Sequence, residues 1–244
     1  MTETPKKEAA KPTVRRIMPN GIDGVGLSAW EPMDPATLAA GKPVQSGHTY
    51  DENEARGYSV GVWHCTAFDD VPGPYPVDEY MLLLEGQVVM ALPDGTEVTV
   101  DAGEAFVLPQ GLNCQWKMPC NVRKIFMIVE NDGRETSQNP SLVRVTKPAL
   151  QTDALASDAV CGAQCVFHSA DGRMQVLRRS FAQSFQGPLP NTSQRLITVL
   201  AGEARIGAET FGPKQSCLVN AADRSDWYIA AGTAWIEAQY RSYL

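Results

Sequence analysis

From Gly57 onward the chain is a succession of short segments rich in β-branched and aromatic residues. GYSVGVWHCT, EYMLLL, QVVMAL, TEVTV, EAFVL and RKIFMIV follow one another with Gly, Pro, Asn or Asp between them. Short apolar runs at this spacing cannot bury themselves as helices. They predict antiparallel strands layered into a sandwich or barrel. Pro93-Asp94-Gly95, between QVVMAL and TEVTV, reads as a hairpin turn in which Gly95 is free to take a positive φ. Helical signal is thin: Asp34-Pro35 ahead of ATLAA offers an N-cap and an N1 proline, enough for one or two turns.

The 244 residues suffice for one large domain or two small ones. Internal echoes favour two. GPYP at 73–76 returns as GPLP at 187–190, LLLEGQV at 82–88 as TVLAGEA at 198–204, and PQGLNCQW at 109–116 as NAADRSDW at 220–227. VGVWHC at 60–65 lines up with MQVLRR at 174–179. The echoes keep their order and spacing, so a duplication is the economical account. The polar, turn-rich stretch from Glu130 to Pro148 is the expected linker. The expected organisation is a disordered tail over 1–16, a first domain over 17–135 and a second over 136–244.

Charge and composition exclude several roles. There are 28 acidic against 21 basic residues, a formal net charge of −7. A nucleic-acid partner is not expected, because phosphate binding needs a basic face. No apolar run approaches the roughly 20 residues of a membrane span, so no membrane partner is expected either. The start, MTETPKKEAAKPTVRR, lacks the apolar centre of a signal peptide and reads as a disordered tail. A cytoplasmic location and free thiols are therefore expected for the six cysteines. Cys161 and Cys165 on a strand would stand roughly 13 Å apart, too far to share an ion or a bond. They are expected to be small buried residues.

Glu79 and Gly86, then Gly103, Pro109 and Gly111, carry a resemblance to the cupin superfamily. Its first motif ends in Glu, six residues, Gly. Its second is Gly, five residues, Pro-x-Gly, two residues, His, three residues, Asn. WHCTA at 63–67 with DEYMLLLEG, GEAFVLPQG and CQW is similar to the cupin-3 subfamily over about 70 residues. The resemblance implies an all-β bicupin: two RmlC-like jelly-roll barrels with few short helices.

The departures from the motifs bear on function. The His-x-His places fall on Gly73 and Tyr75, or on Pro72 and Pro74, and the second-motif histidine falls on Cys114. In the second copy the Glu place is Arg195 and the last histidine is Ser225. A tight metal site wants three or four converging ligands, and motif arithmetic leaves Glu79 and Cys114. No tightly held metal is expected; an atypical site would be Glu79, Cys114 and His64, completed by substrate.

Strand alternation turns Glu79, Met81 and Leu83 one way and Tyr80, Leu82 and Leu84 the other, and gives Cys114 and Trp116 a shared face. Glu79, Met81, Cys114 and Trp116 are thus expected around a pocket for a small organic ligand, with Glu79 as its polar handle. Glu79 as base and Tyr75 as acid are the catalytic candidates. Arg195 could grip a carboxylate or phosphate, or pair with an acid such as Asp226. The outward residues Tyr80, Leu82 and Leu84 need cover, from the companion sheet, the other barrel or a second chain, so a buried barrel–barrel contact and a homodimer are expected. The alternative function is a metal-dependent enzyme of the dioxygenase, isomerase or aminohydrolase type.

Overall fold

A computed structural model describes residues 13–131, 140–145, 161–189 and 192–242. It is almost wholly β. Two sheets enclose the first half. One has seven strands, with Asp78–Glu85 between Ala105–Leu108 and Val122–Val129, then Tyr58–Cys65 and Gln45–Asn53. Facing it is a sheet built on Glu97–Asp101, Gln87–Ala91 and Asn113–Met118. Between the sheets lie Trp63, Met81, Leu83, Phe106, Trp116 and Phe126, one continuous apolar core.

The second half repeats this plan. Gln194–Ala201 lies between Ser216–Val219 and Ala234–Tyr240, followed by Met174–Ser180 and Gly162–His168. A four-stranded sheet containing Ala204–Ile206 and Trp227–Ile229 closes it. Trp116 pairs with Met90 across the first small sheet, and Trp227 pairs with Ile206 across the second. The register therefore sets the two tryptophans at corresponding places, as the repeat requires.

Local chemistry accounts for the turns. Gly95 takes φ 85° in the expected hairpin, where its N–H donates to the Leu92 carbonyl at 3.0 Å. Gly86 takes φ 81°, and a Cβ there would sit on the Asn121 carbonyl oxygen, so only glycine fits. Asp34 caps a single 3₁₀ turn, Pro35–Thr37, by accepting from Ala36 N–H at 2.9 Å. The chain then leaves as a strand over Leu38–Gly41 rather than a second helical turn.

The two barrels pack through their large sheets. Tyr80, Leu82, Ile125 and Met127 of the first meet Val176, Leu196, Leu218 and Ile236 of the second in a shared apolar layer, with Leu84 against its edge. The face that needed cover is thus covered within the chain. Arg173 of the second barrel donates to the carbonyls of Arg56, at 2.8 Å, and of Glu130.

Each barrel also borrows a strand. Val14–Ile17, ahead of the first barrel, pairs with Ser216–Val219 of the second. Val143–Arg144, beyond the expected boundary at 135, pairs with Ala105–Leu108 of the first. Of the expected tail, residues 1–12 lie outside the described residues, and so does most of the linker. Cys161 and Cys165 do flank and occupy a strand, but they are half-buried and exposed respectively, a correction to the buried reading. The strand lies at a sheet edge, which leaves one side open. No helix among the described residues is long and apolar enough to cross a membrane.

Candidate functional site

Four strands and one loop converge inside the first barrel. Alternation along Asp78–Glu85 turns Glu79 inward beside Met81 and Leu83. Alternation along Val122–Val129 turns Lys124 inward beside Val122 and Phe126, while Ile125, Met127 and Val129 face the other barrel. Lys124 Nζ stands 2.8 Å from Glu79 Oε1 and 3.3 Å from Met81 Sδ. The ammonium lies 4.7 and 4.8 Å from the ring centroids of Trp63 and Trp116. A desolvated cation gains about 2 kcal/mol from such an aromatic face. With the carboxylate in contact, that helps offset the cost of burying both charges.

Tyr75 completes the group from a loop. Gly73–Pro74 pairs with Asn113 and Cys114, and the Tyr75 N–H donates to the Leu112 carbonyl at 2.8 Å. The flanking prolines have no N–H to give, so within Pro74–Pro76 the backbone donor is that of Tyr75, whose carbonyl also accepts from Gly111 N–H at 2.8 Å. Its hydroxyl donates to Glu79 Oε2. Burial, then the Glu79 charge, pushes the phenol well above its ordinary range, so it remains a donor.

A cavity of about 510 Å³ opens over this floor. Glu79, Cys114, Trp116 and Tyr75 line it, together with Asp70 and Ile128. Burial raises the Cys114 thiol to about 11, with Asp70 adding to the effect. It is therefore a neutral thiol at pH 7.

These donors do not fit a divalent metal. Both oxygens of Glu79 are engaged, one by Lys124 and one by Tyr75. Among the described residues, no group of three His, Cys, Asp or Glu converges. His64 does not join Glu79 and Cys114. Its neighbours Trp63 and Cys65 face the barrel interior, so alternation turns His64 the other way. That removes the third member of the atypical Glu79–Cys114–His64 set.

The structure brings Glu79, Tyr75, Cys114 and Trp116 to one cavity and sets Met81 beneath the ion pair. Arg195 lies in the second barrel, apart from them. Its partner is Glu237, at 3.6 Å, rather than Asp226. Glu237 is fully buried and also accepts from Arg179 Nε at 2.7 Å and Trp235 Nε1 at 3.0 Å. Burial lowers the Arg195 guanidinium from its ordinary range while the Glu237 charge opposes the shift. The two barrels thus carry opposite arrangements. In the first a carboxylate on the motif strand meets a cation on the adjacent strand; in the second the signs are exchanged. Lys124 is the residue that motif arithmetic missed, since it belongs to no motif. The alternation of VRKIFMIV held the signal, because it places Lys124 on the same face as Phe126.

Residues 52–126 match the family of EutQ-like cupin domains, Cupin_3. The match lies within the first barrel and spans 75 of the 244 residues. No curated protein matches the chain in sequence. Solved structures share its fold. A protein of unknown function of the DUF861 family from Pseudomonas syringae pv. tomato DC3000 superposes with TM-score 0.66 at 16% identity, covering 94% of this chain and 99% of that one. A proposed dioxygenase from Nostoc punctiforme PCC 73102 gives 0.61 at 11%, covering 93% and 82%. A cupin 2 conserved barrel domain protein from Leptotrichia buccalis gives 0.58 at 10%, covering 88% and 98%. At these identities the likeness extends to the fold alone.

Proposed function

We propose that the cupin domain binds a small organic molecule in its barrel and holds no metal of its own. One observation carries this reading. The cavity ends on Glu79, the motif carboxylate, and the positive charge facing that carboxylate is Lys124 of the same chain, at 2.8 Å. In a metal-dependent cupin the resemblance implies an ion at this place. Here the Lys124 ammonium, covalently part of the chain, supplies one positive charge at a fixed position. Tyr75 and Glu79 together present a hydroxyl and a carboxylate to whatever enters.

The chemistry available without a metal is binding and proton placement. Both oxygens of Glu79 are already engaged, one by Lys124 and one by Tyr75, so neither is free to take a proton from a substrate. The arrangement therefore favours recognition over proton abstraction. The Arg195–Glu237–Arg179 cluster of the second barrel is internally paired, and its role in this reading is to support that barrel's interior.

Elemental analysis of purified protein, with native mass spectrometry for any retained small molecule, tests the proposal. Substoichiometric metal before and after chelation is the expected result. Glu79→Gln combined with Lys124→Met, which strands no buried charge, is expected to keep the fold and to change the affinity for any ligand recovered. Stoichiometric metal that survives a chelator and is lost in Glu79→Ala would overturn it in favour of a metal-dependent enzyme.

A further inference from the structure

We infer that the first-barrel cavity takes a small organic ammonium ion with an apolar body. This rests on the cavity being the ligand site and names the class of ligand. Among the described residues, three carboxylates line it, Asp70, Glu79 and Glu130, and no Lys, Arg or His does. The nearest cation, Lys124, sits behind the floor between Trp63 and Trp116 and is committed to Glu79. Among the described residues, that leaves Asp70 and Glu130 of the lining without an ion-pair partner.

Asp70 shows the imbalance most clearly. Its backbone carbonyl accepts from Gln115 Nε2 at 2.8 Å, but its carboxylate makes no hydrogen bond or ion pair with any described residue. Burial raises its carboxyl to about 6; Lys124 pulls it down, and Asp69 adds to the rise. At neutral pH it is a half-buried carboxylate whose surroundings supply too little positive charge. A primary ammonium would bring both the charge and three N–H donors. An anion entering the same space would meet carboxylates on several sides. Val71, Pro72, Pro74, Val77 and Ile128 make up much of the remaining wall, so the body of the ligand is apolar.

Three probes with one ring and different charge test this: cyclohexylammonium, cyclohexanol and cyclohexanecarboxylate. Binding to the full chain is followed by ligand-observed NMR and by tryptophan fluorescence, since Trp116 lies on the cavity wall. Cyclohexylammonium is expected to bind at least about tenfold more tightly than the carboxylate, and to weaken as salt is added. Asp70→Asn should weaken the ammonium about tenfold and leave the alcohol unchanged, whereas Asp70→Glu should retain the preference. Equal or tighter binding of the alcohol or the carboxylate would overturn the inference while leaving the pocket reading in place. So would an Asp70→Asn variant with unchanged ammonium affinity. If no probe binds, and filling the cavity with Val77→Trp changes no signal, the pocket reading fails and the inference with it.

Discussion

At the scale of single residues, the molecule depends on how buried charges are matched. Lys124 and Glu79 are both nearly inaccessible and in contact at 2.8 Å. Lys124→Met would leave Glu79 buried with its main counter-charge gone, and the expected loss of stability is about 3–5 kcal/mol. Lys124→Met combined with Glu79→Gln should recover most of it, and a denaturant double-mutant cycle measures both. Asp78 is a different case. It is buried, its Oδ1 accepts from Gln110 N–H at 3.0 Å, and burial raises its carboxyl to about 6. In the unfolded chain it titrates near the ordinary value of about 4. Between those two values the folded state holds the proton and the unfolded state has lost it. Stability from this group is therefore present at the acid end and falls as pH rises from about 4 to about 6, by on the order of 2 kcal/mol. Asp78→Asn should flatten that part of the urea-midpoint profile. An unchanged slope would show that the carboxyl is not raised.

At the scale of elements, alternation along strands does most of the positioning. Glu79 faces inward because Tyr80 and Leu82 face the other barrel, and one residue of slip would exchange the two sets. Register is held partly by glycine turns. Gly86→Ala would bring a Cβ against the Asn121 carbonyl at φ 81°, and more than about 1 kcal/mol of destabilisation is expected by thermal melting. A Gly103→Ala change, at φ 89° with no atom within 4 Å of the added Cβ, should cost less. The comparison separates steric contact from backbone strain. Much of this level was legible in the chain: the hairpin at Pro93-Asp94-Gly95, the Asp34 cap and the two faces of EYMLLL follow from local chemistry. The inward place of Lys124 was open to the same parity argument. The partner of Arg195 was not, because Glu237 lies 42 positions later and nothing local joins them.

At the scale of the whole molecule, the two barrels act as one unit. Tyr80 is almost completely buried in the shared layer, and a hydrogen bond joins its hydroxyl to Thr198 of the second barrel. Tyr80→Ala is expected to cost about 3–5 kcal/mol, as for other large aromatic truncations in a core. Loss of a single cooperative transition would show that the layer couples the barrels. The exchanged strands act in the same direction. Deleting residues 1–17 removes the strand paired with Ser216–Val219 and the buried Ile17, so faster amide exchange is expected in Ser216–Val219, within the second barrel. Exchange confined to the first barrel would contradict that coupling.

Short β-rich segments, turn residues and an internal repeat were enough to determine an all-β chain built twice on one plan, because strand periodicity and turn chemistry act over a few residues. The same local rules placed Glu79 and Tyr80 on opposite faces. Only the tertiary structure decided which charges meet. Lys124 reaches Glu79 across 45 positions, Arg195 finds Glu237, and the strand ahead of each barrel completes the other. Such pairings depend on the closure of sheets over long separations, where no local preference links the two partners.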